Sequence, residues 1–141
     1  MILVVDDDEA CEVLLPLLFN KANSKVGLRF VTDGEQAMDY LNGNGKFSDR
    51  AQFPLPKMIL LDLKMPKVNG FEFLEWKQTQ LAFGDLPVVV WSSSDLQTDM
   101  DKAAKLGAVD YVVKPVFGRG LTEAIERIYK RLTEARAKAA N

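Results

Sequence analysis

The side chains best suited to chemistry in this chain of 141 residues come directly after short apolar runs. These runs, each given with the polar residues that follow it, are Ile2–Val5 before Asp6 and Asp7, Met58–Leu61 before Asp62, Val88–Trp91 before Ser92, and Val109–Val113 before Lys114. Carboxylates, a hydroxyl and an ammonium therefore share one kind of position, although they are widely separated along the chain.

This combination of groups is typical of phosphoryl chemistry. Three carboxylates held close together repel one another, and the repulsion raises their pKa values unless a cation compensates. Magnesium suits that role because it takes oxygen ligands and shares its shell with phosphate oxygens. Lys114 supplies a cation with a long reach, and Ser92 supplies a hydroxyl donor. The set predicts a site where a carboxylate attacks phosphorus.

Composition excludes several other kinds of site. The chain has no histidine, which rules out a histidine general base, a Ser-His-Asp triad and histidine-ligated zinc. A net charge of -2 gives no indication of a nucleic-acid surface. Cys11 is the single cysteine, so no intrachain disulfide can form, and we expect a cytoplasmic location.

No membrane segment is expected either. No apolar run reaches the roughly 20 residues that a spanning helix needs. Met1 leads straight into an apolar run without a basic region before it, so a signal peptide is not predicted.

The apolar runs alternate with helical patterns, which predicts an α/β fold. Four- or five-residue runs rich in Val, Ile and Leu are typical of strands buried on both faces of a parallel sheet. The helical patterns cover residues 9–22 (with Val13, Leu14, Leu17 and Leu18 at helical spacing), 34–42, 70–81, 95–106 and 121–138. Because all strands of a parallel sheet end at one edge, the polar residues after them should converge there.

Local signals predict some helix boundaries. Asp33 can cap the second helix, Ser94 with Gln97 forms a capping-box pattern before the fourth, and Gly43 and Gly107 can end helices. Pro16 lies inside the first helical pattern, where it either kinks the helix or shifts its start.

Two segments lack a regular pattern. Residues 43–57 are longer than a routine connection of roughly 2–6 residues, and we interpret them as a surface loop, either a tolerated insertion or a partner-binding loop. Residues 136–141 are expected to fray.

Four motifs together resemble the receiver domains of bacterial two-component response regulators. They are Val4-Val5-Asp6-Asp7-Asp8, Leu60-Leu61-Asp62-Leu63-Lys64-Met65-Pro66 with Gly70, Pro87-Val88-Val89-Val90-Trp91-Ser92, and Gly107-Ala108 through Tyr111-Val112-Val113-Lys114-Pro115. The chain resembles in particular the single-domain receivers paired with phytochrome kinases.

The resemblance implies a fold and an organisation. The fold would be a doubly wound flavodoxin-like (βα)5 sandwich with a five-stranded parallel sheet in the order 2-1-3-4-5. The chain would be a single receiver domain over 1–141, with its core at 1–135 and no output domain. It would not be an enzyme beyond its own phosphoryl transfer and slow autodephosphorylation.

The resemblance also implies residue roles. Asp62 would be the phosphoacceptor, Ser92 and Lys114 would bind the phosphoryl group, and Tyr111 would turn when Ser92 is drawn toward it. Magnesium, replaceable by manganese, would be held by Asp7 directly, Asp6 directly or through water, Asp62, and the backbone carbonyl of Lys64. Trp91 is bulkier than the residue expected before the switch hydroxyl.

Partners follow from the same resemblance. A sensor histidine kinase or phosphotransfer protein would donate the phosphoryl group, and a downstream protein would read the surface of the fourth helix, fifth strand and fifth helix. A homodimer through that surface is a further prediction, with Ile125, Tyr129 and Leu132 as its apolar residues. Neither nucleic acid nor a membrane is expected as a partner.

The sequence disfavours three other functions. An aspartyl-nucleophile phosphatase would need a second aspartate two positions after the first, where Lys64 stands. A flavin or mononucleotide binder would need a phosphate-cradling first loop, which the three aspartates from Asp6 do not provide. A degenerate receiver that serves only as a scaffold is disfavoured because Asp62 and Lys114 are both present.

Overall fold

Five short strands pair side by side in one parallel sheet, as the apolar runs predict. The computed structural model describes residues 1–21, 26–115 and 120–140. Its strands are β1 (Ile2–Val5), β2 (Leu28–Val31), β3 (Met58–Leu61), β4 (Val88–Ser92) and β5 (Asp110–Val113). Their order, β2-β1-β3-β4-β5, confirms the predicted doubly wound arrangement.

A helix follows each strand. The helices are α1 (Ala10–Lys21), α2 (Gly34–Asn42), α3 (Gly70–Gln78), α4 (Gln97–Lys105) and α5 (Leu121–Ala140). Residue 22, the predicted end of the first helix, lies outside the described residues, as does residue 141. The α5 helix extends to Ala140, and fraying of its last turns stays a prediction.

The sheet separates two apolar layers because successive strand residues point to opposite faces. Leu3, Val5, Ile59 and Leu61 pack with residues of α2, α3 and α4 on one face. On the other face, the sheet residues and their helix partners from α1 and α5 are Ile2, Val4, Met58, Leu60, Val89, Trp91, Cys11, Leu15, Phe19, Ile125, Ile128 and Leu132. Both faces of the central strands are therefore buried from solvent, which explains their continuous apolar sequences.

The α1 helix turns a different side to the core than its apolar pattern suggests. Its buried residues are Cys11, Leu15 and Phe19. Val13 is 68% exposed and Leu17 is 61% exposed, so the predicted stripe of Val13, Leu14, Leu17 and Leu18 does not form the buried face. The helix begins at Ala10 and continues through Pro16, so the proline does not delay its start.

Helix caps follow the predictions at α2 and at the end of α4, where Gly107 has a φ of 100°, but not at the start of α4. Asp33 accepts a hydrogen bond from the Gln36 backbone N–H at 2.8 Å, and Gly43 ends α2 in the left-handed region at a φ of 70°. The capping box predicted for Ser94 and Gln97 is wrong. The α4 helix begins at Gln97 with Leu96 as its N-cap, and the Ser94 hydroxyl donates to Asp99 at 2.5 Å.

The segment 43–57 is a loop with one short 3-10 turn at Gly45–Phe47, as predicted, and its aromatic residues cover the end of α2. Tyr40, Phe47 and Phe53 pack ring against ring, with centroids 5.1 to 6.0 Å apart. The Arg50 guanidinium donates to the carbonyls of Tyr40 and Leu41 at 2.7 and 2.6 Å, and it thereby satisfies backbone acceptors at the end of the helix.

Among the described residues, no helix combines the length and apolar character that crossing a membrane requires.

Candidate functional site

The backbone brings the residues after β1 and β3 together at one edge of the sheet. Val5 pairs with Leu61 in register, and the Asp62 backbone N–H donates to the Val5 carbonyl at 2.9 Å. The Asp6 backbone N–H donates to the Val31 carbonyl at 3.0 Å. Asp6 and Asp62 are therefore held side by side by the ladder that forms the sheet, as their positions after apolar runs predict.

Three carboxylates meet at this edge. One oxygen from each of Asp6, Asp7 and Asp62 lies within 4.8 Å of the other two. Asp6 and Asp62 are buried, whereas Asp7 is exposed to solvent. An all-oxygen donor set that is open on one side fits a hard divalent cation that retains water ligands.

Lys114 joins the cluster from the end of β5. Its Nζ lies 2.7 Å from Asp6 Oδ2 and 3.4 Å from Asp62 Oδ2. Burial lowers the pKa of Lys114, but the hydrogen bond to Asp6 and the charge of Asp62 outweigh burial and raise the pKa above its ordinary value. The ammonium therefore stays charged and neutralises part of the acidic cluster.

The pKa of Asp62 is raised to about 6, chiefly because the carboxyl group is buried, with a further increase from the charge of Asp6. Lys114 and the backbone N–H groups of Lys64 and Leu63 act in the opposite direction. A divalent cation beside Asp62 would also favour the carboxylate. The role of the Lys64 carbonyl as a metal ligand stays a prediction.

Two close backbone approaches hold the loop from Asp62 to Gly70. A Cβ atom on Gly70 would lie 2.4 Å from the Asp62 carbonyl oxygen, and one on Gly34 would lie 2.5 Å from the Val68 carbonyl oxygen. Hydrogen bonds cross both contacts, from Gly70 N–H to Leu63 and from Gly34 N–H to Val68. Lys67 adopts a φ of 60° within this loop, a conformation that costs roughly 1–2 kcal/mol for a residue with a Cβ.

Ser92 and Tyr111 both contact the segment between β4 and α4. The buried Ser92 Oγ accepts the Ser94 backbone N–H at 3.2 Å, and the Tyr111 hydroxyl donates to the Ser94 carbonyl at 2.8 Å. The Tyr111 ring is partly buried against the core layer that includes Ala103 and Val90. The two predicted switch residues are therefore linked through Ser94, which the sequence suggested only as a cap.

Cys11 is the residue at this site that sequence reasoning missed. It belongs to none of the four motifs, but its Sγ donates to Asp6 Oδ2 at 3.1 Å. The available signal was its position five residues after Asp6 in the first turn of α1.

The comparisons with known proteins agree with this geometry. Residues 2–126 match the response regulator receiver domain family.

The chain belongs to that family.

A relative of this receiver domain is the "Probable methanogenesis regulatory protein FilR2" of Methanothrix harundinacea, which is 31% identical over 91% of this chain and 80% of that protein. Among solved structures, the phosphorylated cyanobacterial phytochrome response regulator RcpA is 30% identical, with a TM-score of 0.82 over 94% of this chain and 92% of that one. The Mn²⁺-bound form of response regulator Rcp1 is 27% identical, with a TM-score of 0.77 over 92% of this chain and 91% of that one.

Membership places the chain in two-component signalling, where receiver domains accept phosphoryl groups from histidine kinases or phosphotransfer proteins. The family binds a divalent metal at its acidic pocket, which agrees with the cluster of Asp6, Asp7 and Asp62. The family match and the similar structures thus confirm the resemblance predicted from the four motifs, including the likeness to phytochrome-associated regulators.

Proposed function

We propose that Asp62 is the residue of this receiver domain that accepts the phosphoryl group. The observation that carries the proposal is the position of its carboxylate: it is only 7% exposed, lies at the carboxyl end of β3, and is within reach of two further carboxylates and an ammonium. In the transfer, an Asp62 oxygen forms a bond to phosphorus while the P–N bond to a partner's phosphohistidine breaks. The partner supplies the histidine because this chain has none.

The remaining residues bind and orient the phosphoryl group. Lys114 can exchange its contact with Asp62 for a phosphoryl oxygen, and the Ser92 hydroxyl can donate to another. Asp6, Asp7, Asp62 and the Lys64 carbonyl would hold Mg²⁺ or Mn²⁺, which supplies positive charge to the phosphoryl oxygens when bound. The Mn²⁺-bound form of Rcp1 supports manganese as a substitute.

We infer that the output of the domain is a surface rather than a chemical reaction on another substrate. Phosphorylation would act on Ser92 and Tyr111 and change the face formed by α4, β5 and α5. A downstream protein or a second copy of the chain would read that face. The chain would function as one receiver domain over 1–141 in the cytoplasm, a location that agrees with its single, free cysteine.

The test is labelling with acetyl phosphate, followed by intact-mass spectrometry. Wild-type protein should gain one phosphoryl group in the presence of Mg²⁺ and none when the metal is chelated. Asp62→Asn should gain none, because the amide removes the nucleophile and keeps the size of the side chain. Asp85→Asn is the matched control, since Asp85 is exposed and lies before β4, at the opposite edge of the sheet.

Labelling of Asp62→Asn at the wild-type rate would contradict the proposal. Labelling that continues after chelation would leave Asp62 in place as the acceptor but remove the metal from the proposed function.

A further inference from the structure

Cys11 lies beneath the acidic site, in the first turn of α1. It is 6% exposed, and its thiol donates to Asp6 Oδ2 at 3.1 Å. The side chain is short and enclosed by the layer that includes Leu15 and Ile125. Unlike a surface donor, this thiol has little freedom to leave its acceptor.

The Asp6 carboxylate receives three donors. The Asp8 backbone N–H donates to Oδ1 at 2.9 Å, while Cys11 and the Lys114 ammonium, at 2.7 Å, share Oδ2. The Asp6 side chain is only 1% exposed, whereas that of Lys114 is 21% exposed and has a long flexible stem. Cys11 therefore has less freedom than Lys114 to leave Oδ2.

Trp91 of β4 belongs to the same buried layer as Cys11. Its indole Nε1 is buried without a hydrogen bond of ordinary geometry to any described residue, so it does not compete for the Asp6 carboxylate. A thiol carries one S–H, and Asp6 Oδ2 is its acceptor.

We propose that Cys11 is a positioning residue whose S–H holds the Asp6 carboxylate in place for the divalent cation, so that its orientation does not depend on Lys114. This inference rests on the proposed function, because it assigns Lys114 to the phosphoryl group. A ligand carboxylate that is held by an outer hydrogen bond loses less orientational freedom on binding metal, and outer partners of this kind set metal affinity.

Manganese titration calorimetry on three variants tests the proposal. Cys11→Ala removes the donor and should weaken Mn²⁺ binding about tenfold. Because a thiol is a weak donor, this loss lies at the lower end of the losses in metal affinity that follow removal of an outer hydrogen-bond partner. Cys11→Ser keeps a donor and should bind Mn²⁺ nearly as wild type does. Leu15→Ala is the matched control, since it removes packing one turn further along the same buried face and should leave Mn²⁺ affinity unchanged.

Urea unfolding of the same proteins separates positioning from packing. Leu15→Ala removes a larger buried side chain than Cys11→Ala, so Leu15→Ala should lose more stability while it keeps wild-type Mn²⁺ affinity. The order of metal affinities should therefore differ from the order of stabilities. If metal affinity instead follows stability across the three variants, Cys11 is a packing residue and the proposal is overturned.

The infrared S–H stretching band offers a readout without metal. Because the chain has one cysteine, the band belongs to Cys11 alone. Its frequency in the metal-free protein should rise in Asp6→Ala, where the acceptor is lost. An unchanged band would overturn the proposal.

The two proposals fail in distinguishable ways. If wild type binds Mn²⁺ and is labelled at Asp62 but Cys11→Ala binds Mn²⁺ as wild type does, only the role of Cys11 is overturned. If wild type neither binds Mn²⁺ nor accepts phosphate, the proposed function and the role of Cys11 are both overturned, whatever the S–H band reports.

Discussion

Asp6 and Asp7 are neighbours in the chain, but their carboxylates differ in burial and in hydrogen bonding. Asp6 is buried and already accepts hydrogen bonds from Asp8 and Lys114. Asp7 is exposed, and an oxygen of its carboxylate lies within 4.8 Å of ligand oxygens on both Asp6 and Asp62. Of the two, Asp7 is better placed to bind a hydrated cation directly.

We therefore expect Asp7→Ala to weaken Mg²⁺ and Mn²⁺ binding by about tenfold or more, and by more than Asp6→Ala. Asp8→Ala is the matched control, because the exposed Asp8 carboxylate accepts the Ala10 backbone N–H at 3.0 Å and so belongs to the start of α1. Titration calorimetry gives the comparison. Equal metal affinities for wild type and Asp7→Ala would refute the role of Asp7 as a direct ligand.

At the scale of elements, the loop between β3 and α3 depends on the missing side chain of Gly70. A Cβ there would meet backbone atoms of Asp62 and Leu63 at 2.4 and 2.7 Å, so the loop would have to move. We expect Gly70→Ala to lower the free energy of unfolding by roughly 1–3 kcal/mol and to weaken metal binding, since the same loop carries Asp62.

Gly84→Ala is the matched control for this substitution. A Cβ on Gly84 would come no closer than 3.7 Å to its neighbours, and the residue has a helical conformation with a φ of -58°. Urea unfolding should show Gly84→Ala to be as stable as wild type or more so. A Gly70→Ala protein with wild-type stability and metal affinity would show that the loop accommodates the methyl group.

The ion pairs that join β5 to α5 should make stability depend on pH. Burial raises the pKa of Asp110, but hydrogen bonds from Arg127, the Tyr111 backbone N–H and Arg131 outweigh burial and hold the pKa below its ordinary value of 3.8. The folded state therefore binds this proton more weakly than the unfolded state. The resulting stabilisation is complete above the unfolded pKa and is lost as pH falls through the folded pKa.

We expect Asp110→Asn to be less stable than wild type by about 1 kcal/mol at neutral pH, because Arg127 and Arg131 are partly exposed and solvent screens them. The difference should shrink below about pH 4. Glu134→Gln is the control, since Glu134 pairs with Arg131 on the same exposed helix surface. A difference between wild type and Asp110→Asn that stays constant from neutral to acid pH would contradict the linkage.

At the scale of the whole molecule, the structure changes which apolar residues could form the predicted homodimer interface. Ile125 and Leu132 were expected to contribute to an outer apolar surface, but they are 1% and 0% exposed and belong to the core under α5. Tyr129 is only partly buried. The exposed apolar side chains beside α4 and β5 are Leu96, at 59%, and Val109, at 47%.

We accordingly expect the beryllofluoride–magnesium form to dimerise through the face of α4, β5 and α5, with Val109→Glu preventing dimerisation. Val13→Glu is the matched control, because Val13 is also exposed but lies on α1, which packs on the opposite face of the sheet from α4. Light scattering coupled to size exclusion measures the mass. A monomer in both states would eliminate the dimer and leave a different protein as the reader of this face.

The sequence by itself determined the sheet and the location of the site. Short apolar runs ending in Asp6, Asp62, Ser92 and Lys114 specify buried strands and place polar groups at their carboxyl ends, because all parallel strands end at one edge. The strand segments follow from their own residues, whereas the strand order 2-1-3-4-5 came from the resemblance to receiver domains. The absence of histidine likewise determined that any phosphohistidine must come from a partner.

Only the tertiary structure decided which side of each helix is buried and which donor meets which carboxylate. The α1 helix has apolar residues on more than one side, so its rotation depends on how Leu15 and Phe19 fit between β1 and α5, and this rotation brings Cys11 to Asp6. The carbonyl of Ser94 accepts a hydrogen bond from the Tyr111 hydroxyl of β5, a contact that the capping pattern of Ser94 does not indicate. Such contacts depend on the packing of elements distant in the chain, which no local pattern encodes.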